Sequence, residues 1–312
     1  MQNNQKIIGV FGAGGFLGKH LMRQLTKLDY RIKVATRNPY LKGYLKPLGN
    51  PGQIELFKTN IFNPEDVKRV LKNCDLAINL VGILYETRNQ KFNQIHVQFP
   101  SLLSELCNEL KVKQLVHVSA LGVQDNHVSQ YMQSKLLGEK HIQDTFNSSV
   151  ILRPSLVFGP EDKFFNMFAA LAQFSPILPL IGGGNTIFEP IYVGDVAKAI
   201  VKSLELNNLK PKIYELGGEN YSFKELIKIL LTQIKKERFL ISIPFSIAKF
   251  QSYFLQMMPN PILTPDQVEI LKYNNVVSGD YPTLKNLGIS ATTIQSILPK
   301  YIYRFRSGGQ FG

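Results

Sequence analysis

The sequence predicts an α/β fold, a Rossmann-type doubly wound parallel sheet with a smaller, mostly helical C-terminal lobe. Two observations carry the prediction. Short apolar runs alternate with helical segments at a βαβ rhythm through the first half of the chain. The first run, 7–11, feeds a turn containing Gly12, Gly15 and Gly18. In such sheets ligands bind beyond the carboxyl ends of the strands, so the residues just after each strand are the informative ones.

Taken in order, the strand 7–11 leads through the glycine turn into a helix opening at Phe16, amphipathic through Leu17, Leu21, Leu25 and Leu28. A short strand at 32–36, a Pro/Gly-rich loop at 38–52 and a strand at 54–58 follow. A helix at 64–71 leads to the strand 76–81, which ends in Gly82. The helical segment 92–110 precedes the strand 115–118, which closes on Ser119, and a helix from about Tyr131 leads to the strand 150–152. Beyond Pro154 the rhythm loosens: Pro176, Pro179 and the glycines at 182–184 mark loops. A helix at 193–206, capped at Asp195, and a strand at 212–216 come next, then helical stretches at 223–234, 245–258, 265–273 and 292–305. The expected division is a nucleotide-binding domain over 1–160, completed by the strand near 212–216, and a lobe over 161–312 whose helices face a partner or substrate. No internal repeat or low-complexity segment occurs.

Composition narrows the function classes. A chain of 312 residues with 44% hydrophobic content fills both cores, which argues against disorder. The opening MQNNQ runs into the first strand, leaving no room for a signal or transit peptide, and no uninterrupted apolar stretch reaches the roughly 18 residues of a membrane span. Cys74 and Cys107 suit a reducing compartment and offer no metal framework. His20, His96, His117, His127 and His141 lack ligand spacing and read as solvated or core residues. The net charge of +13 is spread along the chain. It favours anionic cofactors, acidic partners or anionic lipid headgroups, or serves only solubility. Nucleic acid is disfavoured, because no dense Lys/Arg run is interleaved with aromatics and no recognised motif occurs.

Three groups of residues carry chemistry. The turn Gly12, Gly15, Gly18 has G-x-x-G-x-x-G spacing, with Leu17 where the third glycine of G-x-G-x-x-G would stand. Placed between a strand and a helix, it points the helix's free N–H groups and positive dipole end at a pyrophosphate. Tyr131 and Lys135 form Y-x-x-x-K on one helical face. An ammonium there pulls the phenol below its ordinary value of about 10 and makes it a usable acid/base; alternatively Lys135 holds the nicotinamide ribose. The strand end at Ser119 supplies a third polar group. Arg37 follows the second strand in a stretch, 33–38, that carries no acid. An acid would hold a ribose 2′-hydroxyl, whereas a guanidinium suits a 2′-phosphate, so NADP(H) is favoured over NAD.

These residues, with the turn at 79–82, Leu152-Arg153-Pro154-Ser155, Phe158-Gly159-Pro160, Tyr192-Val193-Gly194-Asp195-Val196-Ala197 and Tyr214-Glu215-Leu216-Gly217-Gly218, resemble the short-chain dehydrogenase/reductase superfamily in its extended or atypical branch. The resemblance covers about two thirds of the chain and implies a nicotinamide cofactor. It assigns cofactor contacts to Gly12, Gly14, Gly15, Phe16, Leu17, Gly18, Arg37, Asn60, Val81, Gly82, Tyr131, Lys135 and Pro154. It assigns catalysis, vestigial or real, to Ser119, Tyr131 and Lys135. It departs at His96, where extended reductases place an Asn that supports the proton path to the Lys.

The stretches 155–166, 179–184 with 188–193, 263–271 and the ending 301–311 are similar, within that superfamily, to the NADPH-binding accessory subunits of respiratory complex I, above all alphaproteobacterial ones. This implies a chain that holds NADPH structurally. It would dock on complex I subunits of the peripheral arm, on the cytoplasmic side of the bacterial inner membrane. The other readings are an NADP-dependent reductase or epimerase acting on a quinone, lipid or nucleotide sugar, and a ubiquinone-biosynthesis or assembly factor. Asp162, Lys163 and Glu189 are the nearest charged groups for a substrate pocket, or only loop charges. In 245–258, Ile247, Phe250, Phe254, Met257 and Met258 form one stripe and Lys249, Ser252 and Gln256 another. The apolar stripe faces lipid or a membrane-embedded subunit, or packs on the lobe. Lys300, Arg304 and Arg306, interleaved with Tyr301, Tyr303 and Phe305, invite the same pair of readings.

Overall fold

The computed structural model describes residues 5–124, 128–206 and 212–308; His127 and the last residues of 301–311 lie outside them. In chain order the elements begin β1 (Lys6–Phe11), α1 (Phe16–Leu25), β2 (Tyr30–Thr36), a 3-10 helix (Tyr40–Leu48), β3 (Ile54–Lys58), α2 (Pro64–Leu71) and β4 (Leu76–Asn79). A π-helical turn (Asn93–Gln98) runs into α3 (Phe99–Glu109), followed by β5 (Gln114–Val118), α4 (Gln130–Thr145), β6 (Ser149–Pro154) and β7 (Val157–Phe158). Then come α5 (Phe164–Phe174), β8 (Ile177–Ile181), β9 (Ile187–Phe188), β10 (Ile191–Tyr192), α6 (Val193–Ser203), β11 (Lys212–Leu216) and β12 (Tyr221–Ser222). The remainder is α7 (Phe223–Gln233), β13 (Phe239–Ile243), α8 (Phe245–Leu255), α9 (Pro265–Ile270), α10 (Ile294–Ile297), α11 (Pro299–Ile302) and a closing 3-10 turn (Tyr303–Phe305).

Seven strands form one parallel sheet in the order β11-β6-β5-β4-β1-β2-β3. The chain leaves β1 toward β2 and β3, then returns to the other side of β1 with β4. The strand order therefore reverses at the β1/β4 boundary, where open α/β sheets bind ligands. One face packs on α1 and α6 through Ile8, Val10, Leu21, Leu25, Val196 and Ile200. The other packs on α2, α3 and α4 through Phe11, Val67, Ala77, Phe99, Leu115 and Ile142. A second core, around Phe158, Phe165, Phe168, Leu226 and Leu230, belongs to the lobe.

The structure departs from the sequence reading in several places, each for a physical reason. Part of the loop 38–52 is the 3-10 helix, capped by Asn38 Oδ1, which accepts from Tyr40 N and Leu41 N, and anchored by buried Leu45. The segment expected to be one helix from 92 opens with a π turn, in which Phe99 N donates to Gln94 O. Pro100, having no N–H, cannot claim the His96 carbonyl, and this oxygen lies against Gly138, where a Cβ would come within 1.9 Å of it. The region read as loops contains α5 and β8. Helix α5 is apolar nearly all round, which hides its period, and the Asp162 carboxylate caps it by accepting from Phe165 N and Asn166 N. Strand β8 pairs only with β13, and as an edge strand it tolerates Pro179 opposite Ile241. Asp195 is not the cap of α6: that place is held by Tyr192, and Asp195 accepts from Thr292 N at 2.7 Å and Lys198 Nζ at 2.9 Å. The 292–305 stretch is broken into three short pieces around Pro299.

Lobe and sheet are joined by named contacts. The Asp266 carboxylate, from α9, accepts from Ser129 Oγ (2.8 Å), Gln130 N (2.7 Å) and Tyr131 N (3.2 Å), and so caps α4 from outside its own segment. Asn275 donates to Leu121 O at 3.0 Å and accepts from Ser155 Oγ at 2.6 Å. No helix among the described residues is long and apolar enough to cross a membrane.

Candidate functional site

The glycine turn lies at the strand-order reversal. Gly12 has φ +92°, and a Cβ on it would meet the Leu80 carbonyl carbon at 3.0 Å and Val81 N at 3.1 Å, so the turn runs hard against the end of β4. A Cβ on Gly18 would come within 2.4 Å of Ala13 O, which fixes how closely α1 sits on the turn. Gly15 differs. It is exposed, has ordinary extended backbone (φ −85°, ψ −178°), and meets only Gly12 O at 3.4 Å. A side chain there would not collide with the turn: the space above Gly15 is open. Gly15 caps α1 without any side-chain hydrogen bond, and the first turn, with Phe16 and Leu17, carries no acid. Its N–H groups face the open side, a cradle that fits a dinucleotide pyrophosphate.

Beside the turn, at the end of β2, Arg37 is exposed and no described residue holds its guanidinium by a hydrogen bond or ion pair. Asn60, after β3, is exposed; its N–H donates to Asp66 and its side chain accepts from Phe62 N. Two residues that the sequence reading missed close over Gly14, whose carbonyl accepts from Lys42 Nζ at 3.2 Å and Tyr44 Oη at 3.3 Å.

At the ends of β4 and β5 stands the second group. Val81 N donates to Asn79 Oδ1, and Gly82 lies against Lys135: a Cβ on it would be 3.2 Å from Nζ and 3.7 Å from His96 Nε2. Lys135 Nζ donates to Val118 O at 3.2 Å, and burial lowers its pKa to about 8. Ser119 Oγ, just past the end of β5, is buried without a hydrogen-bond partner. Tyr131 is buried against Phe92 and His96, with ring centroids 5.8 and 5.4 Å away. Burial, and after it the Asp266 carboxylate, pushes its phenol above the ordinary value. The expected depression by Lys135 is overturned: desolvation dominates, and the two side chains make no hydrogen bond to each other. Pro154 is buried at the end of β6, its carbonyl taken by Leu121 N.

His96 is fully committed. Its Nε2 accepts from Ile83 N at 3.1 Å and its Nδ1 meets Ser134 Oγ at 2.9 Å, while Ser134 itself donates to Tyr131 O. Because Nε2 accepts an amide proton, the ring is neutral with its proton on Nδ1. Burial, with help from Lys135 and His117, lowers its pKa to about 2. The ring positions the Tyr131 turn and has no free nitrogen for a proton relay. Deeper still, Arg153 forms a two-pronged pair with Glu139 (closest 2.6 Å) and stands 3.8 Å from Glu215, whose other oxygen accepts from Ser278 N and Oγ.

The remaining candidates are structural. Asp162 caps α5 and accepts from Tyr301 Oη; Glu189 accepts from Val277 N; Lys163 lies 5.6 Å from the Tyr85 ring centre. Tyr301 is buried, Arg304 donates to Asn166, and Arg306 donates to Gln233 O, so this segment packs on the lobe instead of facing lipid. The stripe on α8 does the opposite: Ile247, Phe250, Phe254, Met257 and Met258 are all exposed, up to 82% at Met257, while Ala248 and Ser252 are buried. The stripe therefore lies outside the lobe's core, with its Phe and Met side chains largely open to the surroundings. A cavity of about 380 Å³ lies between α8, α9 and the loop after β4, lined by Tyr85, Phe92, Tyr253 and Asp266. Another, of about 460 Å³, is lined by Met132, Arg153, Asn274 and Tyr281. Neither is lined by Ser119, Tyr131 or Lys135.

A seven-stranded parallel sheet with a glycine turn at its order reversal, followed by a lobe strapped over its carboxyl edge, defines an extended Rossmann-type nucleotide-binding protein. The chain belongs to the NAD dependent epimerase/dehydratase family, whose model matches residues 8–217. It is 30% identical to the NADH dehydrogenase [ubiquinone] 1 alpha subcomplex subunit 9, mitochondrial, of Arabidopsis thaliana, over 96% of this chain and 78% of that one. The subunit of the same name from Dictyostelium discoideum is also 30% identical, over 99% of this chain and 88% of its own. The fold is shared with a dTDP-glucose 4,6-dehydratase from Streptomyces venezuelae, at a TM-score of 0.73 and 19% identity over 96% of both chains.

Proposed function

We propose that the chain is an NADP(H)-binding accessory subunit of a respiratory NADH:ubiquinone oxidoreductase, structural in role. The observation that carries this reading is that the likeness to subunits of that enzyme runs through the lobe as well as the nucleotide fold, over 96% and 99% of the chain. The site supports it. Tyr131 is buried with its phenol held protonated, and both ring nitrogens of His96 are engaged. A bound nicotinamide nucleotide would supply hydride chemistry; Gly12, Gly15 and the first turn of α1 would hold its phosphates, Arg37 would take a 2′-phosphate, and Lys135 and Gly82 would hold the nicotinamide end. The exposed stripe on α8 fits docking at the membrane-proximal part of the peripheral arm, on the cytoplasmic side, helped by the +13 charge against anionic headgroups.

Affinity purification of the tagged chain from membranes of its native host tests this. Complex I subunits should co-purify with wild type and with Tyr131→Phe alike, and bound NADPH should be recovered from both. Recovery of free chain whose NADPH-dependent reduction of a defined substrate disappears in Tyr131→Phe refutes the reading and installs the enzyme.

A further inference from the structure

The cavity of about 460 Å³ lies among α4, the loop after β5 and the segment that follows α9, and it is lined neither by the glycine turn nor by Ser119, Tyr131 or Lys135. Met132, Leu136, Tyr273 and Tyr281 give it apolar and aromatic walls. Arg153 and Glu215 also line it although they are only 5% and 3% exposed, so its buried end is charged. These two charges are unequally matched. Arg153 gives Nε and Nη2 to the Glu139 carboxylate, which completes that pair. Glu215 is left over: its Oε2 accepts from Ser278 N at 2.6 Å and Ser278 Oγ at 2.9 Å, whereas its Oε1 has no hydrogen-bond donor among the described residues and meets only Arg153 Nη1, at 3.8 Å. A buried carboxylate oxygen without a donor is costly. Glu189 adds negative charge close by: it accepts from Val277 N, and burial together with the Glu215 charge raises its pKa. Among the described residues Arg153 is the one cation lining the cavity, and Asp280 lines it from the exposed side.

We propose that this cavity binds an aliphatic diamine, one of whose ammonium groups supplies the donor that Glu215 Oε1 lacks. The site is independent of the NADP(H) reading. A metal ion fits poorly, because no group of three or more His, Cys, Asp or Glu side chains that could hold one occurs among the described residues, and the walls are apolar. A guanidinium asks for two carboxylate oxygens side by side, and Oε2 is already taken. A quaternary ammonium has no N–H to give. A primary ammonium is a compact donor that satisfies a single oxygen, and Glu139, 2.6 Å from Arg153, offsets the guanidinium's repulsion. Its methylene chain covers Met132 and Leu136, and the tyrosine faces favour the charge. The Asp280 carboxylate, which no hydrogen bond or ion pair engages among the described residues, meets the second ammonium at the exposed side.

The test is calorimetric titration, at fixed ionic strength, of putrescine, n-butylamine, butane-1,4-diol and succinate into wild type, Glu215→Gln, Asp280→Asn and Leu136→Trp. Putrescine and butylamine should each bind wild type at one site per chain, putrescine more tightly, while the diol and succinate give no saturable heat. Glu215→Gln keeps an acceptor for Ser278 but removes the charge, and should weaken both amines at least tenfold. Asp280→Asn should weaken putrescine at least threefold and leave butylamine within twofold. Leu136→Trp, which fills the cavity, should abolish binding of both. No saturable binding of either amine to wild type overturns the proposal, as does amine binding that Glu215→Gln leaves unchanged. A diol that binds as tightly as putrescine also overturns it, by assigning the cavity to neutral hydroxyl groups. Should Glu215→Gln lose its cooperative melt, the other two variants decide: undiminished putrescine binding in folded Leu136→Trp or Asp280→Asn refutes the site.

Discussion

Gly15→Asp separates the fold from the ligand more sharply than any other single change. The backbone at Gly15 is ordinary for any residue, a Cβ there makes one unstrained contact at 3.4 Å, and the position is the uncapped N-terminus of α1. An aspartate adds a capping acceptor worth a few tenths of a kcal/mol over glycine. It also adds about 0.3–1 kcal/mol against the helix dipole and about 0.4–1 kcal/mol from reduced unfolded-chain freedom. The net gain is about 1–2 kcal/mol; for 312 residues the melting temperature moves about 1.5 °C per kcal/mol, so a rise of about 2–3 °C is expected. The same carboxylate stands where a pyrophosphate would approach. At about 4 Å and an intermediate dielectric, repulsion costs about 4 kcal/mol, three orders of magnitude in Kd. Gly18→Ala is the counterpart: its Cβ falls 2.4 Å from Ala13 O, backbone must move, and about 1–3 kcal/mol of stability is lost. Scanning fluorimetry and NADPH titration read both. A Gly15→Asp protein that melts below wild type, or binds NADPH within tenfold of it, refutes the reasoning, as does an unchanged melt for Gly18→Ala.

Arg37→Asp should lower NADPH affinity by about 1.5–3 kcal/mol and reverse its order with NADH; equal wild-type affinities in calorimetry remove the basis for naming NADP(H). Phe250→Asp with Phe254→Asp should change stability by no more than about 0.5 kcal/mol per site, because both rings are exposed at 65% and 62%, yet release the chain from host membranes; a lost cooperative melt sinks the docking role. His96 is held neutral down to about pH 2, and His117 is lowered well below the ordinary value, chiefly by burial, whereas each accepts a proton near 6.5 when unfolded. The unfolded state therefore binds more protons below pH 6.5, and stability falls with acidification by up to about 1.4 kcal/mol per pH unit per histidine. Urea midpoints between pH 7 and 4.5 should fall less steeply for His96→Gln than for wild type; parallel slopes contradict this.

What could be read from the sequence was local. The glycine turn, the βα rhythm and the i,i+4 pair of Tyr131 and Lys135 each declare themselves within a dozen residues. The missed features are reached across the chain: Asp266 lies 135 residues from Tyr131, and Asn275 lies 154 from Leu121. The Thr264/Gln267 capping box that starts α9 was legible in principle as a T-x-x-Q pattern; the destination of Asp266 was not. The charge of Tyr131 was misjudged because spacing reports a neighbour and says nothing of burial, which dominates here. Strand β8 escaped because its partner, β13, lies some sixty residues on, and α5 because a helix buried all round has no polar stripe to count.

The late-arriving contacts of α4 and β6 bear on biosynthesis. A ribosome completes α4 and β6 long before it supplies β11 at Lys212–Leu216, Asp266 on α9 or Asn275 after it. Until then β6 is an open edge, Glu139 and Arg153 lack Glu215, and the first amides of α4 lack Asp266. A nascent chain or fragment ending near residue 160 therefore exposes a sticky strand edge beside an uncovered ion pair. Such a fragment should call on chaperones, and the nucleotide fold should reach its final form only after the lobe has been made.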